Sequence, residues 1–238
     1  MKLRLVAAFA ASLLIIFAGY AALFIAPEER TMHEIQRIFY FHLASWITSF
    51  TAFFIAFAAN IAYLATRRAK WDSLGVAGAE VGVACCTIGL ITGPLWARPV
   101  WGIWWTWDAR LTTTFILWLL YISYLLLRGL LEDPQRRATL SAIFGVFAFL
   151  DVPLVYMANR LWRTQHPQPV ILGSAGSGLD PLMGKVLLVC VIAAFGIMAL
   201  VFVDRYHLEQ LRREAEELRQ EVESRAFESE SSSKKDRT

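Results

Sequence analysis

The 29 residues from Ile38 to Thr66 read IFYFHLASWITSFTAFFIAFAANIAYLAT and contain no Asp, Glu, Lys or Arg. A helix needs about 20 apolar residues to cross the hydrocarbon layer of a membrane. The backbone of such a segment finds no water there, so it has to satisfy its own hydrogen bonds, which a helix does. The stretch therefore predicts a transmembrane helix, and it decides the fold class.

Five further apolar stretches lie on either side of this one, and two of them are interrupted by a single acid, Glu80 or Asp151. They are Leu5–Pro27, Ser73–Ala97, Leu111–Leu127, Ala138–Asn159 and Val186–Val203. Hydrophobic residues make up 57% of the chain, above the roughly 45–50% of soluble domains. The alternating strands of a membrane β-barrel do not occur in the sequence. We predict an all-α polytopic membrane protein with six transmembrane helices, which excludes a soluble globular enzyme.

The distribution of Lys and Arg predicts the orientation. Six spans place both termini on one side, and cytoplasmic segments carry an excess of cations. Counting only cations near the membrane gives 12 on the side of the termini and 7 on the other. We therefore predict that both termini are cytoplasmic. The net charge of +3 then reflects topology and gives no reason to expect nucleic-acid binding.

The chain divides by composition into a six-helix domain, 1–203, and a cytoplasmic extension, 204–238. The extension carries an apolar stripe at alternating spacings of three and four, typical of a helix that packs on a partner. Its members are Leu208, Leu211, Ala215, Leu218 and Val222. A solvated helix with no specific role remains the alternative, and we expect the polar residues from Ser229 onward to be disordered.

Two intramembrane acids and two glycine pairs predict details of the bundle. We expect Glu80 near the inner interface, and Asp151 either as a structural group beside Pro153 or in the lining of a cavity. The pairs Gly78/Gly82 and Gly89/Gly93 predict close packing between helices. The loop 173–178 lacks the Lys-Ser/Thr ending of a nucleotide-binding loop, and no hydrolytic or redox motif occurs, so we expect no enzyme activity.

The segment Trp101-Gly-Ile-Trp-Trp-Thr-Trp-Asp108, between the third and fourth stretches, holds four of the nine tryptophans. If it is helical, Trp101, Trp104 and Trp105 share one face with Asp108. An aromatic belt at the membrane interface is one interpretation. The Asp and the nearby Arg110 at one end of the run favour the other, a platform for a flat hydrophobic ligand.

Two histidines on the same side of the membrane sharpen that choice. His42 lies at the outer entrance of the second stretch, and His166 lies in the loop before the sixth. A single histidine there is usually only an interfacial polar group. Two imidazoles flanking tryptophans and arginines supply what a heme site needs: axial ligands, aromatic faces and guanidinium groups for the propionates. Neither histidine has the spacing of a zinc site.

These motifs resemble the tryptophan-rich heme-handling membrane proteins of cytochrome c biogenesis. Arg37-Ile-Phe-Tyr-Phe-His42, Asp108-Ala-Arg-Leu-Thr112 and Trp162-Arg-Thr-Gln-His166 are similar to the family called cytochrome c maturation protein C, or heme exporter protein C. The resemblance covers about Leu5 to Val203. Related families usually carry Trp-Asp-Pro or a following acid where this chain has Asp108-Ala109-Arg110, and they have more spans.

The resemblance implies a multi-pass protein of the bacterial inner membrane that binds non-covalent b-type heme at its periplasmic face. His42 and His166 would be the axial ligands. The tryptophan segment, in the second periplasmic loop, would hold the ring with Trp101, Gly102, Trp104, Trp105, Trp107, Asp108 and Arg110.

The resemblance also implies partners. Heme would pass to the periplasmic heme chaperone, maturation protein E, with Arg37 in contact with it. Subunits of an ABC transporter and the small membrane protein D would complete the assembly in the lipid bilayer. Two alternatives stay open: a transporter that carries heme through its own bundle, and a structural subunit anchored by its tryptophans.

Overall fold

The computed structural model describes residues 2–166 and 179–235, and those residues form helices joined by short segments, with no strand among them. The α-helices are α1 (Lys2–Tyr20), α2 (Ile38–Thr66), α3 (Ala69–Trp101), α4 (Ala109–Leu130), α5 (Pro134–Phe149), α6 (Asp151–Leu161) and α7 (Pro181–Lys235). A π-helical turn, Ala21–Ile25, extends α1, and a 3-10 turn, Glu34–Arg37, leads into α2.

Six helical segments in the described part of the chain are long and apolar enough to cross a membrane. One segment consists of α5 and α6, which are separated only by Leu150. Helix α2 begins and ends where the uncharged stretch does. The predicted all-α fold with six membrane-spanning segments is confirmed, and the chain is a multi-pass membrane protein.

The bundle has two distinct ends. The Arg4 guanidinium pairs with the Asp204 carboxylate at 2.5 Å, so the start of α1 lies beside the middle of α7. We call this the terminal end. The opposite end carries the connections after α1, α3 and α6, and we call it the pocket end. There the buried side chains of Ala22, Tyr40 and Leu187 join α1, α2 and α7 in one apolar cluster.

The predicted glycine-mediated packing is confirmed between α2 and α3. A Cβ at Gly78 would lie 2.9 Å from the Ala52 carbonyl oxygen, and one at Gly82 would overlap the Phe53 ring. At Gly89 it would lie 2.5 Å from Trp46 Cε2, whereas at Gly93 the nearest atom, His42 Cε1, is 3.4 Å away. Because Gly82 and Gly89 of α3 have no side chains, the Phe53 and Trp46 rings of α2 can pack directly against the α3 backbone.

The extension of α7 differs from the sequence-based expectation. The helix continues to Lys235, past Ser229, where we expected disorder to begin; residues 236–238 lie outside the described part. Once a helix is nucleated, each added residue forms another hydrogen bond at little cost, and this segment contains no Pro or Gly to stop it. The division of the chain at residue 203 stays a prediction, although α7 runs across it unbroken. The segment 173–178, which we compared with a nucleotide-binding loop, also lies outside the described residues.

The two intramembrane acids have different surroundings. Glu80 Oε1 accepts a hydrogen bond from Arg205 Nη2 at 2.5 Å, which places Glu80 toward the terminal end, the end predicted to be cytoplasmic. Asp151 begins α6 and is buried, and its Oδ2 has no partner within the described residues. Asp151 is not part of the pocket wall described below, so the cavity-lining role expected for it is not found there.

Candidate functional site

A pocket at the pocket end brings together six of the residues predicted from the sequence. They are His42, Trp101, Trp104, Trp105, Arg110 and His166. The other four predicted residues, Arg37, Gly102, Trp107 and Asp108, are not part of its wall. Helices α2, α3, α4 and α6 all contribute to the wall, so the site exists only when the bundle is assembled.

The pocket has a free volume of about 70 Å³. Ligand pockets for small molecules usually measure about 300–1,000 Å³. A flat ligand of tetrapyrrole size is larger than this free space, so it would pack against the pocket residues Trp101 and Trp104, which are 40% and 57% exposed.

His42 lies in the first turns of α2 and is buried. Its Nδ1 is 2.9 Å from Thr92 Oγ1 of α3, and its Nε2 is 3.1 Å from Trp46 Nε1 of α2. The Trp96 ring meets the imidazole edge to face, with ring centroids 5.8 Å apart. These contacts fix the ring in one orientation at the wall of the pocket.

His166 comes from the segment that follows α6, and its backbone is tied to the last turn of that helix. The His166 amide donates to Thr164 Oγ1 at 3.1 Å, and its carbonyl accepts from Asn159 Nδ2 at 3.4 Å. The Arg110 guanidinium donates to Asn159 Oδ1 at 3.0 Å. Asn159 thereby couples the predicted arginine of α4 to the backbone of the predicted histidine.

The tryptophan segment is not a helix. Helix α3 ends at Trp101, because Gly102 adopts a left-handed φ of 77° and its amide bonds back to the Arg98 carbonyl at 2.9 Å. The single helical face proposed for the segment is therefore wrong. Trp101, Trp104 and Trp105 still line one pocket, because the chain reverses direction between α3 and α4.

Asp108 and Trp107 lie next to the pocket. Asp108 caps the N-terminus of α4: its Oδ1 accepts from the Leu111 amide at 3.0 Å, and its Oδ2 accepts from Thr106 Oγ1 at 3.1 Å. A capping carboxylate satisfies backbone donors that the helix leaves free. Trp107 is 73% exposed and lines a neighbouring apolar cleft with Trp105 and Phe115. Both residues shape the segment that carries the pocket tryptophans.

Arg37 makes contacts within the chain. Its guanidinium donates to the Ala22 carbonyl at 3.2 Å and to the Leu23 carbonyl, and it pairs with the Glu34 carboxylate. It thus ties the end of α1 to the start of α2. The contact with a chaperone stays a prediction.

Sequence reasoning missed Trp46, Thr92, Trp96 and Asn159 as parts of the site. Trp46 lies four residues after His42, and this spacing on one helix face was a signal that could have revealed it. Thr92 is 50 positions from His42, and Asn159 is 49 from Arg110. No local pattern links residues that far apart.

The chemistry of the pocket fits heme. In residues 2–166 and 179–235, no three His, Cys, Asp or Glu side chains converge as they would around a bare metal ion. Two imidazoles therefore suit a metal that is already held by a macrocycle. The buried indole N–H groups of Trp96 and Trp105 have no partner within the described residues, so they are available to polar atoms of a ligand.

Comparison with known proteins agrees with this chemistry. The family model described as Heme exporter protein C matches residues 1–221. A heme exporter protein C of Bradyrhizobium diazoefficiens is 31% identical over 206 residues, which are 86% of this chain and 76% of that relative. One from Haemophilus influenzae is 26% identical over 190 residues, covering 80% and 77%. A ccmC-like mitochondrial protein of cytochrome c biosynthesis from Marchantia polymorpha is 29% identical over 164 residues, or 68% of each chain. The chain therefore belongs to the heme exporter protein C family, as its tryptophan and histidine motifs predicted.

Proposed function

We propose that this protein holds heme at the pocket end of its bundle, with His42 and His166 on the iron, and passes it to the periplasmic heme chaperone for cytochrome c maturation. One observation carries the proposal: two imidazoles from separate elements line one tryptophan-walled pocket. Membership of the heme exporter protein C family supports heme handling as the role. The role is custody and transfer, without catalysis.

The ligand in this proposal is b-type heme, held without a covalent bond. Bound heme supplies an iron with two axial positions, and a bis-histidine site fills both. The chain's own residues do the rest. The indoles of Trp101, Trp104 and Trp105 offer apolar faces to the macrocycle, and the Arg110 guanidinium offers charge to a carboxylate.

The exposure of two pocket tryptophans supports release toward a docking protein. Trp101 and Trp104 line the pocket and are 40% and 57% exposed, so a ligand packed against them presents an edge to the outside. We place this end in the periplasm, and both termini in the cytoplasm of the inner membrane, because the cations near the membrane favour that orientation. Arg37 lies in the loop before α2 at the same end, where the chaperone would dock. The ABC transporter subunits and the small protein D would join the same assembly.

The competing role, transport of heme through the bundle, has less support. Below the pocket the rings of Phe53 and Tyr121 are stacked with centroids 3.7 Å apart, and both are fully buried. A route between the helices would have to separate them. Heme uptake into sealed vesicles that contain this protein alone would support transport.

The ligand assignment is tested by purifying the full chain with its heme and recording absorption and electron paramagnetic resonance spectra. We expect low-spin bis-histidine signals, and we expect His42→Ala and His166→Ala each to lose heme at least about tenfold faster or to change the spin state. His207→Ala, at the terminal end, is the control. Unchanged spectra in both site variants would refute the assignment.

Transfer is a separate measurement. The heme-loaded protein is mixed with the heme-free chaperone, and the heme content of each is followed after separation. We expect heme to appear on the chaperone. A chaperone that stays empty while the loaded protein remains intact would contradict the transfer step.

A further inference from the structure

Both ring nitrogens of His42 are engaged by side chains of this chain. Nδ1 faces Thr92 Oγ1 at 2.9 Å, and Nε2 faces Trp46 Nε1 at 3.1 Å. The imidazole is buried, so these two neighbours supply its hydrogen bonds in place of water. The position of the ring proton follows from what each neighbour can donate.

The partners assign the proton to Nδ1. The Thr92 hydroxyl donates its single proton to the Ile88 carbonyl at 2.8 Å, so its oxygen accepts from His42. The Trp46 indole N–H can only donate, so Nε2 has to be unprotonated. His42 is therefore the neutral tautomer with its lone pair on Nε2, and that lone pair is the one occupied by Trp46.

An axial ligand needs this same lone pair. We propose that Trp46 is a positioning residue that caps the Nε2 lone pair of His42 when the pocket is empty and gives it up when iron binds, while Thr92 holds the tautomer in both states. The inference rests on the proposed heme site and adds a built-in competitor to it. Because the Trp46 N–H competes with iron for this lone pair, it lowers the affinity for heme. A lower affinity suits a protein that later passes its heme on.

The position of Trp46 supports this exchange. Trp46 follows His42 by four residues on α2, so both side chains lie on one face of the helix. The indole packs against Gly89, where any larger residue would push it out of place. Trp46 is also part of the pocket wall, so the bond that it donates to Nε2 lies at the pocket.

The first test compares heme affinity and association rate in the full-length, heme-free protein in nanodiscs. Trp46→Phe keeps an aromatic side chain but removes the N–H. We expect it to bind ferric heme roughly three- to tenfold more tightly, which is the worth of one net hydrogen bond. We also expect heme to leave it more slowly when the chaperone is added.

Trp96→Phe is the matched control. Trp96 contacts the same imidazole edge to face but donates no hydrogen bond to it, and its Nε1 has no partner within the described residues. We expect no gain in affinity from this variant. An equal gain in both variants, or no gain in Trp46→Phe, would overturn the capping role.

The second test concerns Thr92. Thr92→Val keeps the shape of the side chain but removes the acceptor for Nδ1–H. Groups that orient a metal-ligating histidine typically change metal affinity by about 10–100-fold when they are removed. We expect a loss of heme affinity in that range with a shifted Soret band, and rescue by Thr92→Ser. A loss that Thr92→Ser fails to rescue would overturn the orienting role.

The third test needs no heme, so it separates this inference from the proposed function. The chain has four histidines, and ¹⁵N-histidine NMR of the heme-free protein, with His42→Asn for assignment, reports the protonation of each ring nitrogen. We expect His42 with a protonated Nδ1 and a hydrogen-bonded Nε2, whose shift changes in Trp46→Phe. A protonated Nε2, or an Nε2 shift that ignores the Trp46 substitution, would overturn the inference even if heme binds.

Discussion

At the scale of single residues, the loop between α1 and α2 depends on the Glu29 carboxylate. Glu29 Oε2 accepts from the Met32 amide at 2.6 Å and from the Thr31 amide at 2.8 Å. These bonds hold the pKa of Glu29 below its ordinary value of 4.5, and the bond from the Met32 amide has the largest effect. Met32 lines the pocket, so the turn that Glu29 closes positions part of the pocket wall.

The turn is expected to be sensitive to acid. Because the pKa of Glu29 is lowered in the folded protein, its carboxylate stabilises the turn at pH values above the ordinary pKa of 4.5. This stabilisation is lost as the pH falls below about 4.5 and through the lowered pKa. Glu29→Gln should therefore weaken the turn at neutral pH, where Glu29 is ionised. Hydrogen exchange with mass spectrometry should show faster exchange at Thr31 and Met32 in the variant. The difference from the unmodified protein should disappear at acid pH, and a difference that persists there would contradict the role of the charge.

At the scale of helices, the α2–α3 contact positions the two nearest partners of His42. Trp46 lies on α2 and Thr92 on α3, so the site depends on how closely these helices approach each other. The glycine face of α3 allows this approach, and at Gly78 the nearest atom of α2 is a backbone atom, the carbonyl oxygen of Ala52. A side chain can turn away from a clash, but a backbone carbonyl cannot.

Gly78→Ala tests this contact. Its Cβ would lie 2.9 Å from the Ala52 carbonyl oxygen, so the helices have to separate, and overpacking of this kind costs about 1–3 kcal/mol. We expect a lower midpoint of thermal unfolding in detergent and weaker heme retention. Gly129→Ala in α4 is the control, because nothing lies within 4 Å of its Cβ position. Equal midpoints for the two variants would argue against the close contact.

At the scale of the whole molecule, a buried ionic cluster fastens α7 to the bundle at the terminal end. Arg128 donates to Asp72 at 2.7 and 3.0 Å and to Glu209 at 3.1 Å, and Arg213 also pairs with Asp72. Asp72 is fully buried, and two acids balance two arginines. Nearby, Arg137 donates to Glu216 at 2.6 Å. The first part of the extension, up to Glu216, therefore lies against α3, α4 and α5.

Asp72→Asn should unbalance this cluster. Removing one partner of a buried ion pair leaves an uncompensated charge and typically destabilises a protein by about 3–5 kcal/mol. We expect a lower unfolding midpoint and faster proteolysis of the extension after Arg205, with the histidine site unaffected until the bundle unfolds. Glu221→Gln, which removes an exposed pair with Arg225, is the control and should leave the midpoint unchanged. An Asp72→Asn variant as stable as the control would refute the fastening role.

The sequence by itself determined that the helices lie in a lipid bilayer, and this environment determines the architecture. A bilayer accepts only segments that are long, apolar and internally hydrogen-bonded, and this requirement can be read from local composition. It therefore predicted α2 to the residue. The unusual residue types, histidines beside tryptophans and arginines, also predicted the ligand chemistry and six members of the pocket wall.

Only the tertiary structure decided how those residues work together. Thr92 reaches His42 from α3, and Asn159 reaches Arg110 from α6. The cluster around Asp72 includes Glu209, which is 81 positions from Arg128. The helix face expected for Trp101 to Asp108 was wrong, because Gly102 ends α3 in a left-handed conformation. Hydropathy and helical spacing describe a residue's near neighbours along the chain, whereas hydrogen bonds between helices depend on how the packed helices are rotated and brought together.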